Sequence, residues 1–321
     1  RSKTGEIVTG FYASRSHNII DTTNCAIQAK ENKEILELVK EYMEECQIEP
    51  YNEETHKGLV RHILTRVGFV TGEIMVCLIL NGKSLPKAEC LVEKLKNIKG
   101  MTSITININT NKTNRILGDK VQVLWGQGYI TDYIGEVKYQ ISPLSFYQVN
   151  PVQTRKLYET ALEYADLKEG QIVWDLYCGI GTISLFLAKK AAKVYGVEIV
   201  PQAIEDAKCN ANINHITNAE FFVGAAEEVL PEQFKKSNGK MAADVIVVDP
   251  PRKGCEETLL KTIVSMTPKR VVYVSCDPAT LARDLKYLCE HGYELKRVRG
   301  CDMFPMSFHT ECVVGIQRKH I

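Results

Sequence analysis

No run of apolar residues in this 321-residue chain approaches the length of a membrane span, and no signal peptide is visible, so a membrane partner is not expected. No C-x-x-C pair occurs among the 11 cysteines, whose odd number argues against a disulfide framework and for a reducing, cytoplasmic compartment. Strong charge of either sign is lacking as well. With 40 basic and 39 acidic residues the net charge is +1, so any binding of nucleic acid must come from a local basic face. Internal repeats and long low-complexity segments are absent. The chain does not open on methionine; Arg1 lies in strand-like sequence, as expected of a segment of a longer protein.

What is present is ordinary globular sequence, 45% hydrophobic and 25% charged, of a length that suggests two domains. Residues 1–142 read as α+β and mainly antiparallel. Strands are expected at Ile7–Tyr12 and His17–Ile20, a helix at Cys25–Glu45, a hairpin of Leu59–Val67 with Glu73–Leu80, and a helix at Leu85–Lys96. Four more strands are expected between Ser103 and Ile141. From 143 to 321 strands and helices alternate, which means a doubly wound, mostly parallel sheet. Its last two strands, Tyr293–Asp302 and Glu311–Gln317, are joined by a short loop and should be antiparallel to each other. The boundary falls near 142–150.

Three strand ends carry residues suited to chemistry. In VWDLYCGIGTISLFLA, Asp175 ends a strand and Gly179 and Gly181 bracket a tight turn into a helix; Glu198 ends the next strand, where an acid can hold ribose hydroxyls. Ser184 stands where a dinucleotide fingerprint would have its third glycine, which disfavours a nicotinamide enzyme. This pattern resembles class I S-adenosylmethionine-dependent methyltransferases. In VIVVDPPRKG, Asp249 emerges from a strand apolar on both faces into a loop stiffened by two prolines; Arg252 and Lys253 could meet phosphate or simply be solvated. In VVYVSCDPATLARD, a strand runs into Cys276, and Asp277-Pro278 opens a helix. Cys276 is then either a nucleophile whose thiolate the helix dipole favours, or one more small buried residue. In DMFPMSFHTEC, Glu311 enters the last strand with His309 expected on the same face; the carboxylate reads as a general base or as an edge-strand charge.

Taken with SPLSFYQVN (142–150) and GVEI (196–199), these segments form an ordered set that resembles the uracil-C5 RNA methyltransferase family over the whole chain. The resemblance implies a Rossmann-like class I methyltransferase domain (143–321) behind an N-terminal α+β domain (1–142) that meets RNA. It implies S-adenosylmethionine as cofactor, contacted by Gln148, Tyr177, Glu198 and Asp249 together with Asp175, Gly179 and Gly181 of the turn. It also implies Cys276 as nucleophile and Glu311 as base. Uracil C5 is a poor nucleophile; a thiolate adding at C6 turns the ring into an enolate, C5 takes the methyl group, and a base removes its proton. The target must be flipped out of a helix or lie in a loop, and Phe146, Tyr177 and Phe308 are candidates to stack on it, or are core.

Relatives that act on rRNA have a small N-terminal β-barrel, and many hold a four-cysteine iron–sulfur cluster. No barrel is evident here. Cys25 in HNIIDTTNCAIQ resembles the last cluster ligand, but one cysteine cannot hold a cluster, so neither a cluster nor another metal site is expected. That segment leans the expectation towards 23S rRNA over tRNA. Arg61, His62, Arg66 and Lys138 are candidates for an RNA-facing surface or are solvated strand charges. No protein partner is expected, and monomer is the default. Two other readings stay open: a class I methyltransferase of an exocyclic amine, which needs no cysteine, and an RNA-binding module that no longer catalyses. A cytosine-C5 enzyme is disfavoured because it would use two cysteines.

Overall fold

The computed structural model describes residues 1–319. It divides into two compact units. One is Arg1–Tyr133 with Gln140–Leu144; the other is Ile134–Tyr139 with the chain from Ser145 onward.

In the first unit, β1 (Gly10–Tyr12) and β2 (Ile19–Asp21) form a small antiparallel pair, followed by α1 (Asn32–Glu45). Then come β3 (Val60–Val67), β4 (Ile74–Leu80), α2 (Ala88–Leu95), β5 (Met101–Ile108) and β6 (Lys120–Gly126), in a four-stranded sheet of order β3-β4-β5-β6. The expected hairpin is β3–β4. β4 and β5 are parallel, and α2 is the crossover that such a pair requires. Every residue of β4 is buried, as its unbroken apolar sequence IMVCLIL demands. Ile35, Val39 and Tyr42 of α1 recur at helical spacing and pack with Leu91 and Leu95 of α2 against Ile74, Val76 and Leu78. The helix expected from Cys25 begins instead at Asn32. Between Cys25 and Glu34 the one large apolar residue is Ile27, which is exposed, so no amphipathic face exists until Ile35. β7 (Ile130–Ile134) and β8 (Val137–Ile141) form a separate two-stranded sheet.

The second unit continues with α3 (Pro151–Ala165), β9 (Ile172–Leu176), α4 (Thr182–Ala188), β10 (Lys193–Glu198), α5 (Pro201–Ile213), β11 (Ala219–Val223) and α6 (Ala226–Lys236). It closes with β12 (Val245–Val248), α7 (Glu257–Met266), β13 (Arg270–Ser275), α8 (Pro278–Glu290), β14 (Tyr293–Cys301) and β15 (Glu311–Arg318). The seven strands lie in the order β11-β10-β9-β12-β13-β15-β14. The first five are mutually parallel, while β15 is antiparallel to both β13 and β14. This is the α/β architecture of class I methyltransferases. From β9 the chain winds first to β10 and β11, then returns to β12 on the other side, so the sheet has a topological switch point between β9 and β12.

Aromatic packing supports β9 beside that crevice. Trp174 of β9 is fully buried against Tyr195 and Phe222, and its indole N–H donates to the Met241 carbonyl at 3.0 Å. Truncating such a residue to alanine costs about 3–5 kcal/mol. Pro231 lies inside α6, where a proline ordinarily breaks a helix. The helix forms nonetheless because Ala226, Val229 and Leu230 are buried, Glu227 and Glu228 lie in its first turn, and Lys235 and Lys236 in its last.

Candidate active site

At the carboxyl end of β9 the chain leaves the sheet through Asp175, Leu176 and Tyr177. Asp175 is fully buried; its Oδ2 accepts from the Ser184 hydroxyl, and its Oδ1 has no hydrogen-bond partner among the described residues. Burial pushes this carboxyl from its ordinary 3.8 up to about 7, more than the Ser184 hydrogen bonds lower it. The Tyr177 and Cys178 amides both donate to the Val197 carbonyl, which pins the turn to β10. The two glycines then do different things. A side chain on Gly181 would press on Ala207 and Phe221, at 3.2 and 3.3 Å. At Gly179 it would meet none of the described atoms within 4 Å. The Gly179 amide donates to Glu198 Oε2 at 3.3 Å, and Glu198 Oε1 accepts from the Val200 amide at 3.0 Å.

On the other side of β9, β12 delivers Asp249 and the next strand, β13, delivers Cys276. The helix after Cys276 is built as its sequence specifies: the Asp277 carboxylate accepts from the Ala279 and Thr280 amides, and Pro278 takes the first helical position. β15 runs back beside β13. Ser275 pairs with Cys312, the last pair of that ladder; extending the register by one step sets Cys276, just past the end of β13, opposite Glu311, and on the far side Glu311 pairs with Cys301 of β14. Residues opposite one another in a ladder share a face, so Cys276, Glu311 and Cys301 form a row across the sheet mouth. Glu311 is only 3% exposed.

The electrostatics correct one expectation. The thiol of Cys276 is pushed up, not down: burial comes first, then the charges of Glu311 and Asp249, and together these outweigh the backbone hydrogen bond and the Arg252 charge that favour the thiolate. Burial also raises Glu311, with Arg252 opposing. Asp249 is pushed up to about 8 by burial and by the charges of Glu311 and Asp175. The crevice therefore holds three carboxyl groups of raised proton affinity beside a protonated thiol. Arg252, which the sequence offered only as a phosphate contact or a solvated charge, bears on both Cys276 and Glu311. Tyr158 of α3, which sequence reasoning passed over, is buried, feels Asp249, Asp175 and Glu311, and bonds through its hydroxyl to Thr182 Oγ1. Its signal was its place on the apolar face of a helix, which does not distinguish it from core.

Gln148 is buried in the segment that enters α3. Asn150 ties this segment down. Its side chain caps α3 by accepting from the Gln153 amide and donates to the Met303 carbonyl in the loop that precedes Glu311. His309 does not share a strand face with Glu311. It lies in that loop against Phe308, with ring centroids 4.6 Å apart. Phe146 and Phe308 are exposed, whereas Tyr177 packs on the core.

Of the basic residues expected to face RNA, Arg61 is committed to the carbonyls of Asn109, Asn111 and Thr113, with its guanidinium over the Tyr51 ring. Burial lowers both His62 and Arg66. All three are partly buried. Among the described residues no group of three or more His, Cys, Asp or Glu is placed to hold a metal ion, and no helix is long and apolar enough to cross a membrane.

Comparison with known proteins decides the family. The family model tRNA (Uracil-5-)-methyltransferase matches residues 17–319. The chain belongs to this family. An RNA methyltransferase of Halalkalibacterium halodurans, itself uncharacterized, is 54% identical over 98% of this chain and 69% of its own length. Another from Clostridium tetani is 52% identical over 97% of this chain and 67% of its own. Among solved structures, the tRNA (uracil-54, C5)-methyltransferase of Pyrococcus abyssi, in complex with S-adenosyl-L-homocysteine, superposes with a TM-score of 0.78 at 32% identity, covering 93% of this chain and 70% of that one. As a member of the uracil-5-methyltransferase family, the chain is an RNA methyltransferase. The row of Cys276, Glu311 and Cys301 lies at the carboxyl side of its sheet, where α/β enzymes bind their ligands.

Proposed function

We propose that this chain transfers a methyl group from S-adenosylmethionine to C5 of a uridine in 23S rRNA, with Cys276 as nucleophile and Glu311 as base. The observation that carries the reading is the Ser275–Cys312 pair that ends the β13–β15 ladder, which leaves Cys276 and a nearly buried Glu311 side by side at the sheet mouth, near enough for the Glu311 charge to act on the thiol. A uridine entering there meets the thiol and the carboxylate together, as the reaction requires.

The crevice suits a cationic cofactor with ribose hydroxyls and an amino group. Asp175 offers a buried carboxylate oxygen without a partner, the open space at Gly179 admits a ligand against the turn, and Glu198 stands where it can accept from hydroxyls. Tyr177, Gly181, Gln148 and Asp249 complete the set. When bound, the cofactor supplies an electrophilic methyl group. The protein's own steps are these. Cys276 loses its proton to solvent, with the Arg252 charge and a backbone hydrogen bond favouring the thiolate, and its sulfur bonds to C6. The electron density then on C5 takes the methyl group. Glu311 in its charged form removes the C5 proton, the sulfur–C6 bond breaks, and the C5–C6 double bond returns.

Incubation with cofactor and RNA substituted with 5-fluorouridine tests this, because fluorine at C5 blocks the elimination. A methylated adduct mapped to Cys276 is expected. Methyl transfer without any adduct would favour the amine-methylating alternative, and RNA binding with neither would favour a non-catalytic module. The segment around Cys25 supports rRNA as substrate. A second reading, tRNA, is supported by the name of the Pyrococcus abyssi neighbour, and parallel trapping on both RNAs separates the two. In this reading residues 1–142 assist RNA binding, and the chain works as a cytoplasmic monomer.

A further inference from the structure

The reaction leaves the buried carboxyl group of Asp284 unused. Asp284 of α8 is fully buried, and its Oδ2 accepts from the Cys255 amide at 2.8 Å and from the Tyr273 hydroxyl at 2.6 Å. Its other oxygen accepts from Arg283, which also donates to the carbonyls of Lys253 and Cys255. Thr280, in the first turn of the same helix, donates through Oγ1 to the Arg252 carbonyl at 2.9 Å. Apart from the Tyr273 hydroxyl and the Asp277 carbonyl, which Thr280 Oγ1 also reaches at 3.2 Å, the groups bonded here belong to the loop that leaves β12 through Asp249. Gly254 shows how close the approach is: φ is +77°, and a Cβ there would lie 2.6 Å from Asp284 Oδ2. Without these bonds the loop is a stretch of irregular chain between β12 and α7.

We propose that Asp284, Arg283 and Thr280 form a positioning cluster that fastens the Asp249–Cys255 loop to the helix that begins just after Cys276, so that Arg252 and the nucleophile are held as one body. This rests on the reading of Cys276 as nucleophile. Asp249 itself is anchored separately, through its amide, to the Leu176 carbonyl. The cluster therefore governs the far half of the loop, where Arg252 lies. It acts on the chemistry through placement, and a shift of about 1 Å in a reacting group can cost on the order of a hundredfold in rate.

Thr280→Val tests it, because valine keeps the shape of a half-buried residue and removes only the hydroxyl; Thr280→Ser restores the donor. Three quantities are read: the rate of adduct formation with 5-fluorouridine RNA at saturating RNA and cofactor, the dissociation constant for S-adenosylhomocysteine, and hydrogen exchange at the Cys255 amide. In Thr280→Val, trapping should slow about tenfold or more and the Cys255 amide should exchange about tenfold faster. S-adenosylhomocysteine affinity should stay within about threefold, because the cofactor side of the loop keeps its own anchor. Thr280→Ser should return all three to wild-type values. Unchanged trapping, a failure of serine to rescue, or a parallel collapse of affinity and trapping would each overturn the proposal. If the wild type traps no RNA, the proposed reaction fails on its own account, and exchange at Cys255 still judges the cluster: faster exchange in Thr280→Val upholds it, and unchanged exchange sinks it.

Discussion

Glu311 stands one rung beyond the Ser275–Cys312 pair, across from Cys276, and its partner on the other side is Cys301. The antiparallel turn-back of β15 creates this relationship. In a wholly parallel sheet the residue beside the end of β13 would be another strand's carboxyl end. Reversing the last strand brings the start of β15 to the mouth instead, so residues 35 apart in sequence become neighbours.

Glu311→Gln keeps the shape of that neighbour and removes its basicity. Attack by Cys276 and methyl gain at C5 survive, but the C5 proton has nowhere to go. A covalent complex with ordinary uridine RNA should therefore accumulate, visible as a shifted band on a denaturing gel, while turnover falls about 10²–10⁴-fold. Cys276→Ala should give neither adduct nor product. Free turnover in Glu311→Gln would assign the base to another group.

The two glycines of the β9–α4 turn should fail in different ways. Gly181→Ala meets Ala207 and Phe221 with φ at +82°, so it should cost stability, about 1–2 kcal/mol from the backbone alone, with more from the contact. Gly179→Ala, at φ +54°, shares the backbone cost but adds its methyl group to open space beside Glu198. Its distinctive effect should be weaker S-adenosylmethionine binding, measured by calorimetry. Equal affinities in the two variants at matched stability would remove Gly179 from the cofactor site.

Much of this was legible in the sequence because local chemistry and tertiary structure agree. Asp277-Pro278 does cap a helix, IMVCLIL is a buried strand, and the alternation after Pro143 is a wound sheet. The misreadings come where one level overrides another. In the linear segment the helix dipole favours a Cys276 thiolate; the burial of the thiol and the charges of Glu311 and Asp249, contributed by other strands, are invisible there. In sequence Arg61 reads as an RNA-facing or solvated strand charge, but its partners are carbonyls some 50 residues away.

Tertiary burial likewise sustains α6: Val229 and Leu230 hold the helix against Pro231 in its interior. If so, Pro231→Ala should lengthen hydrogen-exchange protection across α6 and raise stability by about 1–3 kcal/mol, since the ring removes a helical hydrogen bond and crowds the preceding turn. A loss of stability on denaturant unfolding would mean that the proline's stiffening of the unfolded chain outweighs its cost in the helix.

The carboxyl cluster sets a pH dependence with a definite sign. Burial raises Asp249 from its ordinary 3.8 to about 8 and Asp175 from 3.8 to about 7. The folded protein thus binds protons that the unfolded chain gives up near pH 4. The associated stability is fully present below that pH and is lost as pH rises through about 7 and 8. Asp249→Asn removes one of these titrations. Relative to wild type, the variant without ligand should therefore become progressively more stable as pH is raised from about 4 to 8, with no further divergence above that. Thermal melts of both proteins across this range measure the difference directly, and common contributions from histidines and surface pairs cancel. A stability difference independent of pH would mean that Asp249 is already ionised at neutral pH. A cationic ligand should act in the opposite direction: S-adenosylmethionine favours the charged carboxylates, so its binding should release protons at neutral pH and tighten as pH rises towards 8. Proton release measured in buffers of different ionisation enthalpy should be smaller in Asp249→Asn than in wild type.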